Sequence, residues 1–121
     1  MPEPRNEWQT AKAGRSPAPL TTSYRVEFDD DLLAQLRDLP KAERQQIGQA
    51  IRRVQQGFGR PHQHSGIGIR DLAPKRSRYP VYECRVSRPI RLVFTVVDGS
   101  TLYFHLMGTH DDVQRFLRSF L

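Results

Sequence analysis

Apolar and polar residues alternate with a period of two in three successive stretches of the second half of this chain. Tyr82, Cys84 and Val86 fall on one side of the first, with Glu83 and Arg85 on the other. Ile90, Leu92, Phe94 and Val96 alternate with Arg91, Val93 and Thr95, and Leu102, Phe104 and Leu106 with Tyr103, His105 and Met107. Alternation kept up over consecutive segments predicts an antiparallel meander with one face buried. Ser23–Phe28 alternates in the same way and predicts an N-terminal strand. Between this strand and the meander the period becomes helical. Asp29, Asp30 and Asp31 suit a helix start, Leu32, Leu33 and Leu36 make its apolar side, and Pro40 halts it. A second helix over about 41–56 carries the stripe Ile47, Ala50, Ile51, Val54 and ends at Gly57. Thr109 and Asp112 stand at capping-box spacing ahead of a last helix with the stripe Val113, Phe116, Leu117, Phe120. The pattern therefore predicts an α+β domain. An N-terminal strand and a two-helix hairpin pack on an antiparallel β-sheet meander, followed by a C-terminal helix.

The same pattern predicts which residues face each other. A loop of Ser87, Arg88 and Pro89 sets Val86 opposite Ile90, Cys84 opposite Leu92 and Tyr82 opposite Phe94, all on the core side. A slip of one residue would turn that apolar set into water, so the register is strongly specified. It also forces Arg85 opposite Arg91, an arrangement that costs stability unless an anion lies between the two. For the next hairpin, a loop of Val97, Asp98 and Gly99 predicts Phe94 opposite Leu102 and Leu92 opposite Phe104. His105 then lies opposite Arg91. The outer face is thus expected to gather Glu83, Arg85, Arg91, Tyr103 and His105, with His110 just beyond the strand end.

Composition changes this picture in one respect. The 121 residues carry 19 Lys+Arg against 13 Asp+Glu, a net charge of +6. Between Arg60 and Arg91 the chain holds Arg60, Arg70, Lys75, Arg76, Arg78, Arg85, Arg88 and Arg91 against Asp71 and Glu83 alone. A basic domain of this kind calls for a polyanionic partner, most often nucleic acid. No apolar run reaches the roughly 18 residues of a membrane span. The first residues lack the layout of a secretory signal. Cys84 is the single cysteine, which rules out an intrachain disulfide, so a cytoplasmic home is expected. Residues 1–21, with Pro2, Pro4, Pro17 and Pro19 and no period, are expected to form a flexible arm ahead of a domain over 22–121.

From about Tyr24 onward the chain resembles the RelE/ParE toxin superfamily, particularly its messenger-RNA-cleaving RelE, YafQ and HigB-like members. The resemblance rests on the order of elements and on Val81-Tyr82-Glu83-Cys84-Arg85-Val86, Ile90-Arg91-Leu92-Val93-Phe94 and Met107-Gly108-Thr109-His110. It implies a RelE-like fold and the toxin of a type II toxin–antitoxin system. The implied activity is ribosome-dependent endonucleolytic cleavage of messenger RNA, which inhibits translation. It also implies a cognate antitoxin, with messenger RNA and the ribosome as further partners. Arg91 falls where members contact the scissile phosphate, Arg85 near a basic residue that serves proton transfer or charge stabilisation, and His110 where a residue acts on the leaving group. Phe116 falls near an aromatic residue that stacks on a base, although its place in the apolar stripe argues for core packing. The family's strand lysine pair and final-helix tyrosine are missing here.

The chemistry of the residues fits that implication. RNA cleavage without a metal requires proton removal from the 2′-hydroxyl, charge stabilisation at the phosphate and protonation of the departing 5′-oxygen. Histidine titrates near neutrality and suits the proton steps, while arginine has a permanent charge and a fork that matches phosphate oxygens. Arg85 and Arg91 are the candidates for charge stabilisation and His110 for the acid, with either His64 or His105 as the base. His64, Arg70, Lys75, Arg76, Arg78 and His105 are candidate RNA contacts. His62 and His64 without a further placed ligand set give no case for a metal, and no cofactor is implied. Two rivals share the fold: a ParE-like inhibitor that binds DNA gyrase without hydrolysis, and a non-catalytic RNA-binding module.

Overall fold

The computed structural model describes residues 24–60, 66–74 and 77–119. The N-terminal arm over 1–21, His64, Lys75, Arg76 and Phe120 lie outside these residues. The chain enters as β1 (Arg25–Phe28) and turns into α1 (Asp30–Arg37), whose start Asp29 caps by accepting from the Asp31 amide at 3.0 Å. After Pro40 the chain continues as α2 (Lys41–Gly57), then β2 (Arg70–Asp71), β3 (Val81–Arg85), β4 (Arg91–Val97) and β5 (Thr101–Gly108). The last described helix, α3 (His110–Arg118), opens with the Thr109–Asp112 capping box that the sequence predicts.

The expected α+β class holds, and the sheet extends beyond the meander at both sides. Its order is β1-β5-β4-β3-β2, with β1 parallel to β5 and every other pair antiparallel. Two edge features explain why alternation alone did not reveal this. β2 is two residues long, too short to show a period. β1 finds its partner 76 positions away, Arg25 against Thr101, because Val26 and Phe28 complete the apolar surface begun by Leu102 and Phe104.

α1 and α2 cover one face. Leu32, Ile47, Ala50, Ile51 and Val54 pack there against Cys84, Leu92, Phe94, Leu102, Phe104 and Met107. Phe94 is fully buried at the centre, with ring centroids of Phe104, Tyr82 and Phe58 at 5.2, 5.6 and 5.7 Å. α3 lies on the opposite face, where Val113 meets Val81 and Val93, flanked by Leu72, Leu106, Phe116 and Leu117. Both sides of β4 are therefore covered. Val93 is fully buried and Thr95 is 4% exposed, so the face with the charged residues is open to solvent only where α3 does not reach.

The first hairpin has the expected register, with Cys84 opposite Leu92, Tyr82 opposite Phe94 and Arg85 opposite Arg91. The second does not. Ser100 donates to the Val97 carbonyl at 3.1 Å across Asp98 and Gly99, both with positive φ (54° and 70°). The turn is thus centred on Asp-Gly, as hairpins prefer, and pairs Val97 with Thr101 and Phe94 with Phe104. A bulge then intervenes. Phe94 faces Phe104 but Val93 faces Leu106, which leaves His105 as the extra residue on β5. The bulge exchanges the expected sides of the next two residues. Met107 joins the main core beside Leu92, and Leu106 packs under α3.

Phe94→Ala removes the ring that three other aromatics surround. It should cost about 3–5 kcal/mol, a large part of the roughly 5–15 kcal/mol that holds a domain folded. The expected readout is a lower urea midpoint with an unchanged m-value.

Candidate active site

The β3–β4 hairpin carries the cationic residues to one end of the sheet. Directly opposed residues of an antiparallel pair project from the same face, so Arg85 and Arg91 share the face that α3 partly covers. Arg91 also pairs with Gly108 of β5, two residues before His110 opens α3. The register thus brings Arg85, Arg91 and the start of α3 at His110 to the same end of the sheet although they come from three elements. His110 is exposed at the first position of α3, followed in the same turn by Asp111 and Asp112, whose carboxylates complement the helix dipole.

Arg91 is held rather than free. Its side chain is 19% exposed, its Nη1 donates to the Arg88 carbonyl at 3.1 Å, and its Nε lies 3.9 Å from Glu83 Oε2. Arg85 is exposed and has no ion pair or hydrogen bond among the described residues. Gly68, at φ 71°, brings the loop before β2 against the base of that side chain. A Cβ there would stand 3.0 Å from Arg85 Cβ, so a larger residue would displace it. At an effective dielectric of about 20, two unit charges about 8 Å apart repel by roughly 2 kcal/mol, and in open water by about a quarter of that. The exposure of Arg85 places the pair toward the smaller figure, and Glu83 lessens it further.

Glu83 has a greater part than its place in the sequence pattern indicated. The register of β2 against β3 puts Arg70 opposite Glu83, and Arg70 Nε lies 3.2 Å from the same Oε2 that faces Arg91. The carboxylate is 5% exposed and sits between two guanidinium groups. Arg70, expected only as a non-specific contact to phosphates, is therefore part of this end of the sheet. The available signal was Glu83 at alternate spacing to Arg85 and diagonal to Arg91. Nothing in the sequence revealed the short strand that brings in Arg70.

The other candidates are placed elsewhere. His105 does not face Arg91, because the bulge and the shifted turn set it three residues before Gly108, about 10 Å along the strand. Its Nε2 lies 3.0 Å from Thr95 Oγ1, in a hydrogen bond whose direction follows the imidazole tautomer, and its ring stands 5.5 Å from that of Phe116. Burial pushes the His105 pKa below the ordinary histidine value, against a smaller opposing effect of Asp29. Arg78 is exposed in the turn that leads into β3, at the other end of that strand from Arg85. Phe116, half-buried, packs beside the Val81–Val93–Val113 core and against His105. Burial pushes the Cys84 thiol up to about 12, so it stays protonated inside the core. Among the described residues no three or more His, Cys, Asp or Glu side chains gather as metal ligands, and no helix is long and apolar enough to cross a membrane.

No protein-family model and no curated protein matches the chain. Solved structures do. RelE in an archaeal RelE–RelB complex from Pyrococcus horikoshii matches with a TM-score of 0.55 and 16% identity, over 71% of this chain and 93% of that one. The isolated E. coli RelE toxin matches with a TM-score of 0.50 and 18% identity, over 81% of this chain and 99% of that one. A free, mutated E. coli RelE gives a TM-score of 0.51 and 20% identity, over 82% and 94%. The chain has the RelE fold. In this RelE fold the rung of Arg85 and Arg91 lies at one end of β3 and β4, while the His105 ring packs against Phe116 of the last helix.

The depressed His105 pKa has a defined consequence. Below about pH 6.5 the unfolded histidine takes up a proton before the folded one does, so the unfolded chain binds more protons. Stability on this account is full above that value and declines as the pH falls towards the folded value. Urea midpoints between pH 7.5 and 5.5 should show this decline in the native protein, and His105→Gln should flatten it.

Proposed function

We propose that this protein is the toxin of a type II toxin–antitoxin system, a ribosome-dependent endonuclease that cleaves messenger RNA and so inhibits translation. The observation that carries this reading is the register that sets Arg85 opposite Arg91, and Arg91 opposite Gly108, two residues before His110. The RelE fold supports it, as does the resemblance of the Arg85, Arg91 and His110 segments to the ribonuclease members. A protein that acted on gyrase by binding alone would have no use for this set.

In this reading the phosphate at the cleavage point lies between Arg85 and Arg91. Their permanent charges stabilise the extra negative charge that builds on its oxygens as the 2′-oxygen attacks. Arg91 is held through the Arg88 carbonyl and Glu83, so little reorganisation is needed when charge develops. The bond from phosphorus to the 5′-oxygen breaks as the 2′-oxygen bond forms, and His110 gives the departing oxygen its proton. The products are a 2′,3′-cyclic phosphate and a free 5′-hydroxyl. His105, off the Arg91 rung and partly covered, has no proton-transfer role here, and His64 is the sequence candidate left for the proton acceptor. Arg70 and Arg78 hold phosphates of the RNA backbone, with Lys75 and Arg76 as further candidates from the same stretch of chain. A cognate antitoxin restrains the activity in the cell.

Brief induction followed by primer extension on cellular messages tests this reading. Discrete cuts within codons are expected, and double-strand breaks in DNA, or neither lesion, would replace it. Arg91→Ala and His110→Ala should each relieve growth arrest and lower cleavage by about 100-fold or more, with circular dichroism unchanged. Full toxicity in both folded variants would remove these residues from the site. Co-purification with the product of the neighbouring gene is the expected sign of the antitoxin.

A further inference from the structure

The interior of the charged face holds one group whose part in the proposed cleavage is so far only to hold Arg91. Glu83 is 5% exposed, and its Oε1 is sealed from solvent with no hydrogen-bond partner among the described residues. Its Oε2 has the Nε of Arg70 at 3.2 Å and the Nε of Arg91 at 3.9 Å. A carboxylate buried with one oxygen unsatisfied costs stability, and a buried ion pair is poor evidence of stabilisation by itself. Retention of this group therefore calls for a role other than stability.

The two contacts share one acceptor atom, the nearer made by Arg70 and the longer by Arg91. In each, the nitrogen nearest Glu83 is Nε. Arg91 spends Nη1 on the Arg88 carbonyl and keeps Nη2, while Arg70 is 61% exposed and has no other ion pair among the described residues. One carboxylate oxygen thus gathers an arginine from β2 and an arginine from β4, the latter opposite Arg85. With Glu83 ionised, the four side chains sum to a charge of about +2, enough to take up a phosphodiester.

We infer that Glu83 is a positioning residue that draws Arg70 and Arg91 onto one oxygen and thereby builds, with Arg85, a single phosphodiester-binding set on this face. Arg70 then grips the same stretch of RNA backbone as Arg91 instead of acting as a diffuse surface charge. Glu83 is not the proton acceptor, because its free oxygen is sealed away from any 2′-hydroxyl. The inference rests on the reading of this face as the RNA-cleaving one.

The sign of one substitution separates positioning from plain charge. Glu83→Gln removes a negative charge, so electrostatics alone would tighten RNA binding, whereas loss of positioning weakens it. The probe is a short oligoribonucleotide with 2′-O-methyl groups, which binds but cannot be cleaved. We expect Glu83→Gln to bind it about tenfold more weakly than the native protein, with Glu83→Asp partly restored. The Nε–Hε signals of Arg70 and Arg91 in nitrogen-edited NMR spectra should change chemical shift in Glu83→Gln. Removal of Glu83 leaves the partly buried Arg91 without its carboxylate, so Glu83→Gln and Glu83→Met are expected to melt lower, and binding is compared at a temperature where every variant is folded. Equal or tighter binding by folded Glu83→Gln overturns the inference, as does a binding loss that only accompanies unfolding in Glu83→Gln, Glu83→Met and Glu83→Asp alike. A native protein that binds the probe but cleaves no message on ribosomes removes the proposed activity and leaves this site standing. Cleavage by the native protein with Glu83→Gln unimpaired does the reverse.

Discussion

The pairing of β3 with β4 is the constraint from which the rest of this molecule follows. Side chains of a strand alternate strictly between faces, so the register that buries Cys84 against Leu92 and Tyr82 against Phe94 leaves no choice for their neighbours. Arg85 must face Arg91 on the other side. The main core supplies the apolar burial that holds this register, and the opposed arginines are carried along with it. A functional face is thus set by packing on the reverse side of the same two strands.

Two devices make that face workable. Arg85 stands in solvent at the end of the strand, where repulsion is screened, while Arg91 is anchored by the Arg88 carbonyl and by Glu83. α3 covers the middle of the face with Val113 and leaves Arg85, at the end of its strand, exposed. The Thr109–Asp112 capping box then sets the start of that helix, and His110 with it, beside the rung of Arg91 and Gly108.

The bulge at His105 has consequences on both sides of the sheet. One extra residue in β5 sends Met107 into the main core and Leu106 beneath α3, so that each layer is filled. It also keeps His105 against Thr95 and Phe116, where burial favours the neutral imidazole. A histidine that the strand pattern set opposite Arg91 is thereby taken away from the charged end. The same irregularity that perfects the packing therefore separates two groups that the sequence had joined.

The alternating pattern by itself determined the meander, the helix hairpin, the capped last helix and the opposition of Arg85 and Arg91. Each of these depends on local periodicity or on a register with one face apolar, and such signals are written in neighbouring residues. Only the tertiary structure decided that β1 joins β5, that Arg70 reaches Glu83 through a two-residue strand, and that His105 falls in a bulge. The physical reason is that these depend on pairings between distant segments. There, burial and hydrogen bonding across the whole sheet outweigh the short-range pattern that the sequence displays.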